Sequence, residues 1–161
     1  MKMFYLSIIA LSLILSGAFA SIADCAKKAD VARADAASRG INFIADDYWF
    51  QGIRDKNEGE PRKAIKNFRK AVSLAPNDYV FHVSLANMLY TQNLLSEAVV
   101  EMRQIVRLEP TQTYWHLRLG NTLNSTGHLI QARKEWQKVI LLDGNDGYGY
   151  EAGKMLKLFG S

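Results

Sequence analysis

Residue types recur along this chain every 34 positions, and that period limits what it can fold into. Pro76 and Pro110 are 34 apart, and the next step lands on Gly144. Ala64, Ala98 and Ala132 share the spacing, as do the large apolar residues Phe68, Met102 and Trp136. Gly52, Ala86 and Gly120 are all small, and Gly59, Asn93 and Gly127 are residue types that tolerate positive φ. Columns held in phase over three periods mark stacked units of one architecture, each too small to bury its apolar face alone.

Each column has a mechanical reason. One period predicts two helices, in the first case over 46–57 and 61–75. Gly59, Asn93 and Gly127 end the first helix of each pair in a left-handed turn. Pro61 sits in the first turn of the second helix, where its missing N–H costs nothing. Small residues on the first helix (Gly52, Ala86, Gly120) face small residues on the second (Ala64, Ala98, Ala132), so the axes approach closely. Phe68, Met102 and Trp136 lie one turn further along the alanine face and are expected to fill the space between one pair and the next. Pro76 and Pro110 stop the second helix, and Asp78 is placed to cap the helix that follows.

These residues resemble the tetratricopeptide repeat (TPR) family. Its pattern is an aromatic, Leu-Gly and Tyr on the first helix, then Ala, Phe, Ala and Pro on the second. Residues 45–78 match with Tyr48, Gly52, Ala64, Phe68, Ala71 and Pro76, and depart at Gln51 and Asp55. Residues 79–112 match with Leu85, Ala86, Leu89, Ala98, Met102 and Pro110, with His82 in the aromatic column. Residues 113–146 match with Leu119, Gly120, Leu123, Ala132 and Trp136, with His116 and Gly144 as departures. The resemblance implies an all-α TPR solenoid of antiparallel helix pairs: three repeats at 45–78, 79–112 and 113–146, then a capping helix at 147–161.

The two ends read differently. Residues 1–20 carry Lys2, then an apolar run, then small residues at Ala18 and Ala20, the pattern of a secretory signal cut near Ala20. An uncleaved N-terminal membrane anchor is the rival, since about 18 apolar residues barely span a bilayer. The expected location is therefore exported, periplasmic or secreted. Asp24 precedes Cys25, so a lipoprotein signal fails, and Cys25, the one cysteine of the 161 residues, reads as a free thiol. Residues 21–44 are an Ala-rich helical segment or a degenerate half repeat.

Enzyme motifs are missing from the sequence: it has no nucleophile elbow, phosphate loop or zinc-protease helix, and the reading is that of a non-enzyme needing no cofactor. His82 and His116 share a column facing the packing interior. No column of further ligands is evident beside them, so they read as partly buried packing residues rather than a metal site. His128 reads as solvated. Asp143-Gly144-Asn145-Asp146-Gly147 resembles half a calcium loop, but Lys154 stands where the closing acid belongs, so it reads as a turn. Asn124-Ser125-Thr126 is a glycosylation sequon, relevant only in a eukaryotic secretory pathway. The net charge of +4 is too modest for a nucleic-acid binder.

In the fold that the resemblance implies, the first helices line a concave face. Their residues not needed for packing are Trp49, Ile53 and Lys56, then Val83, Asn87 and Tyr90, then Tyr114, Leu117, Asn121 and Asn124. Tyr148, Glu151 and Met155 extend the row. Asn87 and Asn121 are 34 apart, and a carboxamide both donates to and accepts from an extended peptide. Hsp90-type TPR domains clamp a carboxylate with Lys, Asn and Arg. Here Trp49, Ile53, Ser84 and Tyr114 occupy those positions and Arg118 alone fits, so that activity is not carried over. The expected function is a non-enzymatic adaptor or scaffold holding an extended peptide or helix of a partner protein. The alternative is a structural repeat protein that forms homo-oligomers through its ends or N-terminal segment. Arg62, Lys63, Lys66, Arg69 and Lys70 make a basic outer patch, suited to an acidic surface or a membrane or otherwise simply solvated.

Overall fold

A computed structural model describes residue 31, residues 34 and 35, and residues 37–144 and 147–159. The signal-like residues 1–20, Cys25, Asn145 and Asp146 lie outside these, as does most of the Ala-rich stretch. The chain divides into two units, Met1–Phe43 and Ile44–Ser161. In the first, the described residues are helical and exposed, and Arg39 pairs with Asp35 one turn away. No helix among the described residues is long and apolar enough to cross a membrane.

The second unit is all helix, with no strand among its described residues. It comprises α1 (44–57), α2 (Pro61–Leu74), α3 (Tyr79–Thr91), α4 (Leu95–Leu108), α5 (Thr113–Ser125), α6 (Leu129–Asp143) and α7 (Gly147–Phe159). Helices α3, α5 and α7 begin 34 residues apart. Between α1 and α2, α3 and α4, and α5 and α6 the chain turns through Gly59 (φ 77°), Asn93 (φ 58°) and Gly127 (φ 81°). Left-handed backbone of this kind reverses the chain within three or four residues. Pro61 opens α2, and Asp78 caps α3 by accepting from the amides of Val80 (2.8 Å) and Phe81 (3.3 Å).

From α2 onward each helix packs on the next, and α5 also packs on α7. The core runs through the junctions: Ala64, Phe68, Leu85, Leu89, Ala98, Met102, Ile105, Leu119, Leu123, Ala132, Trp136 and Val139 are all buried. Two glycines show why their column must stay small. A Cβ on Gly52 would lie 2.6 Å from Phe68 Cε1, and one on Gly120 would lie 2.6 Å from Trp136 Nε1. Phe68 and Trp136 thus also lie across the first helix of their own pair, not only in the gap to the next one. Trp136 reaches onward as well, stacking on Phe159 with ring centroids 6.0 Å apart.

The α7 helix breaks the pattern. Where α5 turns His116, Leu119, Gly120 and Leu123 inward, the positions 34 residues later carry Tyr150, Gly153, Lys154 and Lys157. Tyr150, Lys154 and Lys157 are exposed, and Lys154 lies over the Tyr150 ring at 5.4 Å. That face is compatible with water, while Ala152 and Gly149 on the other side are buried.

Candidate functional site

Helices α1, α3 and α5 are the first helices of their pairs, and they touch one another side by side. Trp49 Nε1 donates to Ser84 Oγ at 2.7 Å, joining α1 to α3. Arg118 Nη1 donates to Asn87 Oδ1 at 2.7 Å, joining α5 to α3. Between these contacts lies an open cavity of roughly 450 Å³. Its apolar lining is Ile53, Phe68 and Met88, and its polar lining is Lys56, Ser84, Asn87, Tyr90, Thr91 and Arg118. Two cations line it and no carboxylate does.

Arg118 is held in place. Its guanidinium carbon lies 4.6 Å from the Tyr90 ring centroid, 5.2 Å from Trp115 and 5.6 Å from Tyr114. Nη1 also donates to the Tyr114 hydroxyl at 3.0 Å. Aromatic faces carry negative quadrupole and attract a cation. Two neutral acceptors fix its orientation without neutralising its charge. The result is a pre-positioned cation whose other N–H groups remain to donate.

Of the residues read from the sequence as groove-lining, the structure brings Ile53, Lys56, Asn87 and Tyr90 to this cavity. Trp49 and Tyr114 border it through Ser84 and Arg118. Val83 is half-buried against the core, and Leu117 is itself a buried core residue rather than open groove wall. Asn121 accepts from Trp136 Nε1 at 2.9 Å, so its carbonyl is committed to α6. Asn124 is half-buried near the end of α5, and Tyr148 meets Tyr114 at 5.7 Å between centroids. Sequence reasoning tested Arg118 only against a known clamp, and missed Ser84, Met88 and Thr91 as cavity lining. Arg118 lies 31 residues from Asn87, off the 34-residue period, so no column pointed to their pairing.

The histidines need a correction. Packing residues without a companion column were expected, yet each has a carboxylate. His82 Nδ1 lies 2.6 Å from Glu101 Oε2, and His116 Nδ1 lies 2.7 Å from Glu135 Oε2. Their Nε2 atoms face the carbonyls of Pro76 (2.9 Å) and Pro110 (3.0 Å). Both rings are almost completely buried. Glu101 and Glu135 are 34 apart, so a companion column was present in the sequence. The hydrogen bond to Glu101 holds the His82 titration above its ordinary 6.5 against the opposing effect of burial. His128 is exposed. Among the described residues, no group of three or more His, Cys, Asp or Glu is placed to hold a metal ion.

On the outer face, Arg62, Lys63, Lys66, Arg69 and Lys70 are all exposed. Arg69 pairs with Glu97, Lys63 lies 3.7 Å from Glu60, and Lys70 sits 6.0 Å from the Tyr48 ring centroid.

The tetratricopeptide-repeat family model matches residues 56–78, which run from the end of α1 through α2 to the cap of α3. The match falls on one helix pair, and the 34-residue helix period continues beyond it. The chain has the tetratricopeptide-repeat fold. Solved structures share the repeat fold. The first TPR of Spaghetti (RPAP3), bound to an HSP90 peptide SRMEEVD, is 20% identical, with 73% of this chain and 94% of that one aligned at a TM-score of 0.59. The Yersinia enterocolitica type III secretion chaperone SycD, in complex with a peptide of the translocator YopD, is 14% identical over 71% of this chain and 90% of that one, at a TM-score of 0.59. MamA is 20% identical over 72% of this chain and 64% of that one, at a TM-score of 0.63. A comparison with curated protein sequences finds no match. At these identities the likeness establishes the fold alone.

Proposed function

We propose that this TPR protein is a non-enzymatic interaction adaptor that holds a partner's extended segment in the groove of α1, α3 and α5. The observation that carries the reading is the cavity with Arg118 and Lys56 over Ile53, Phe68 and Met88, free of lining carboxylates. A concave apolar surface with a few fixed polar groups suits a ligand that is partly apolar. Two cations select one that also carries a carboxylate. Asn87 and Ser84 add hydrogen-bonding groups suited to a peptide backbone. The peptides bound by the RPAP3 and SycD repeats support a peptide as the ligand class. The basic face of α2 is a second, peripheral contact for an acidic surface. We place the protein in an exported compartment, on the leader-like character of residues 1–20.

Display of a random peptide library against the purified chain tests this. Enriched sequences should pair an Asp, a Glu or a free C-terminus with an apolar residue, and Arg118→Ala should weaken their binding roughly tenfold or more, the loss of a charge-assisted hydrogen bond. Enrichment without acids, or binding indifferent to Arg118→Ala and Lys56→Ala, would remove the groove reading.

A further inference from the structure

The buried His–Glu pairs have a geometry that sorting by hydrophobicity does not explain. The His82 ring has an acceptor at each nitrogen. The Pro76 carbonyl can only accept, so Nε2 must carry a proton. Glu101 faces Nδ1 at 2.6 Å, and that contact also needs a proton between the two atoms. The pair therefore holds one proton more than a neutral imidazole beside a carboxylate, wherever along the short bond it resides. Without it, a partly buried carboxylate would face the lone pair of a buried Nδ1, an arrangement that low dielectric makes costly.

The position of this trio matters. Pro76 lies in the turn after α2, His82 is on α3 and Glu101 is on α4. One protonated ring thus ties the turn between two repeats to both helices of the second. His116, Glu135 and Pro110 repeat the arrangement around α5 and α6. The first repeat has Tyr48 and Asn67 at the equivalent positions, and Asn67 donates instead to Asp55 at 2.7 Å. The device belongs to the two inner junctions.

We propose that the His82–Glu101–Pro76 trio is a proton-dependent lock on the α2–α3 junction, so that raising the pH loosens the solenoid there and frees α3, which carries Asn87 and Tyr90 of the groove. The charged groups acting on the ring come from α4: Glu101, which favours the proton, and Arg107, which opposes it. Asp78, in the same turn, is committed to the amides of Val80 and Phe81. The direction follows by linkage. The folded titration lies above the 6.5 of a free imidazole, so the stabilisation is complete below that pH and is lost as pH rises through the folded value. Each pH unit of separation multiplies the unfolding constant tenfold across that window.

Long-range proton–nitrogen spectra of the 15N-labelled full chain, with His82 assigned by His82→Gln, read the ring directly. The expected result is a His82 titration above 6.5 that falls back in Glu101→Gln, whose amide can donate to Nδ1 and keep the trio closed without the extra proton. Urea midpoints at about pH 6 and about pH 9 should then fall more steeply in wild type than in Glu101→Gln. A wild-type titration at or below 6.5 overturns the lock, as do equal midpoint changes in the two proteins. Should Glu101→Gln not fold, the wild-type titration decides alone.

Discussion

Adding one methyl group at Gly120 probes the packing most sharply, because helix propensity and the structure predict opposite signs. Propensity alone makes Gly→Ala in a helix interior stabilising by about 1 kcal/mol. Here the new Cβ would sit 2.6 Å from Trp136 Nε1, 2.7 Å from Trp136 Cδ1 and 3.2 Å from the backbone oxygen of Ala132. Backbone cannot yield cheaply, so the indole must move. It is fully buried, and moving it breaks its bond to Asn121 Oδ1, worth about 1 kcal/mol. Overpacking of a filled core adds roughly 1–3 kcal/mol. The net expectation for Gly120→Ala is a loss of about 1–3 kcal/mol, read as a fall of roughly 1 M in the urea midpoint. The second repeat contains the natural control, Ala86 opposite Met102, where a thioether replaces the ring. In a Trp136→Met background, Gly120→Ala should therefore be neutral or stabilising by up to about 1 kcal/mol. The bond to Asn121 is absent from both members of that second pair and cancels. If Gly120→Ala stabilises the wild type, or lowers both backgrounds equally, Trp136 is not the obstacle and the reasoning fails.

Two smaller perturbations check the helix ends. Asp78→Ala removes the acceptor for two amides of α3 and should cost about 1 kcal/mol in the same melts. Gly127→Ala meets no atom within 4 Å, so its cost should be backbone strain alone, about 1–2 kcal/mol, from φ of 81°. A neutral Gly127→Ala would mean that the turn relaxes out of the left-handed region.

The groove shows where the period was informative. Ile53, Lys56, Asn87 and Tyr90 were legible because a column becomes a row once repeats stack. Leu117 was misplaced because α5 turns more of its surface into the core than α3 does: Trp115, His116, Leu117, Leu119, Gly120, Thr122 and Leu123 are all buried. No count of apolar residues separates a core leucine from a groove leucine at adjacent positions on one helix.

What the sequence determined by itself was everything local or repeated: where helices stop, where the chain turns, and which columns must be small. Proline, glycine and an N-cap aspartate act through backbone sterics and hydrogen bonds within a few residues, so their effect is written next to them. The tertiary structure alone decided which polar groups meet. Arg118 finds Asn87 across 31 residues, Trp49 finds Ser84 across 35, and His82 finds Glu101 across 19. These pairings depend on how far one helix is rotated and shifted against the next, by a fraction of a turn. That rotation is set by the combined packing of rings such as Phe68 and Trp136 against their glycines, which no single column encodes.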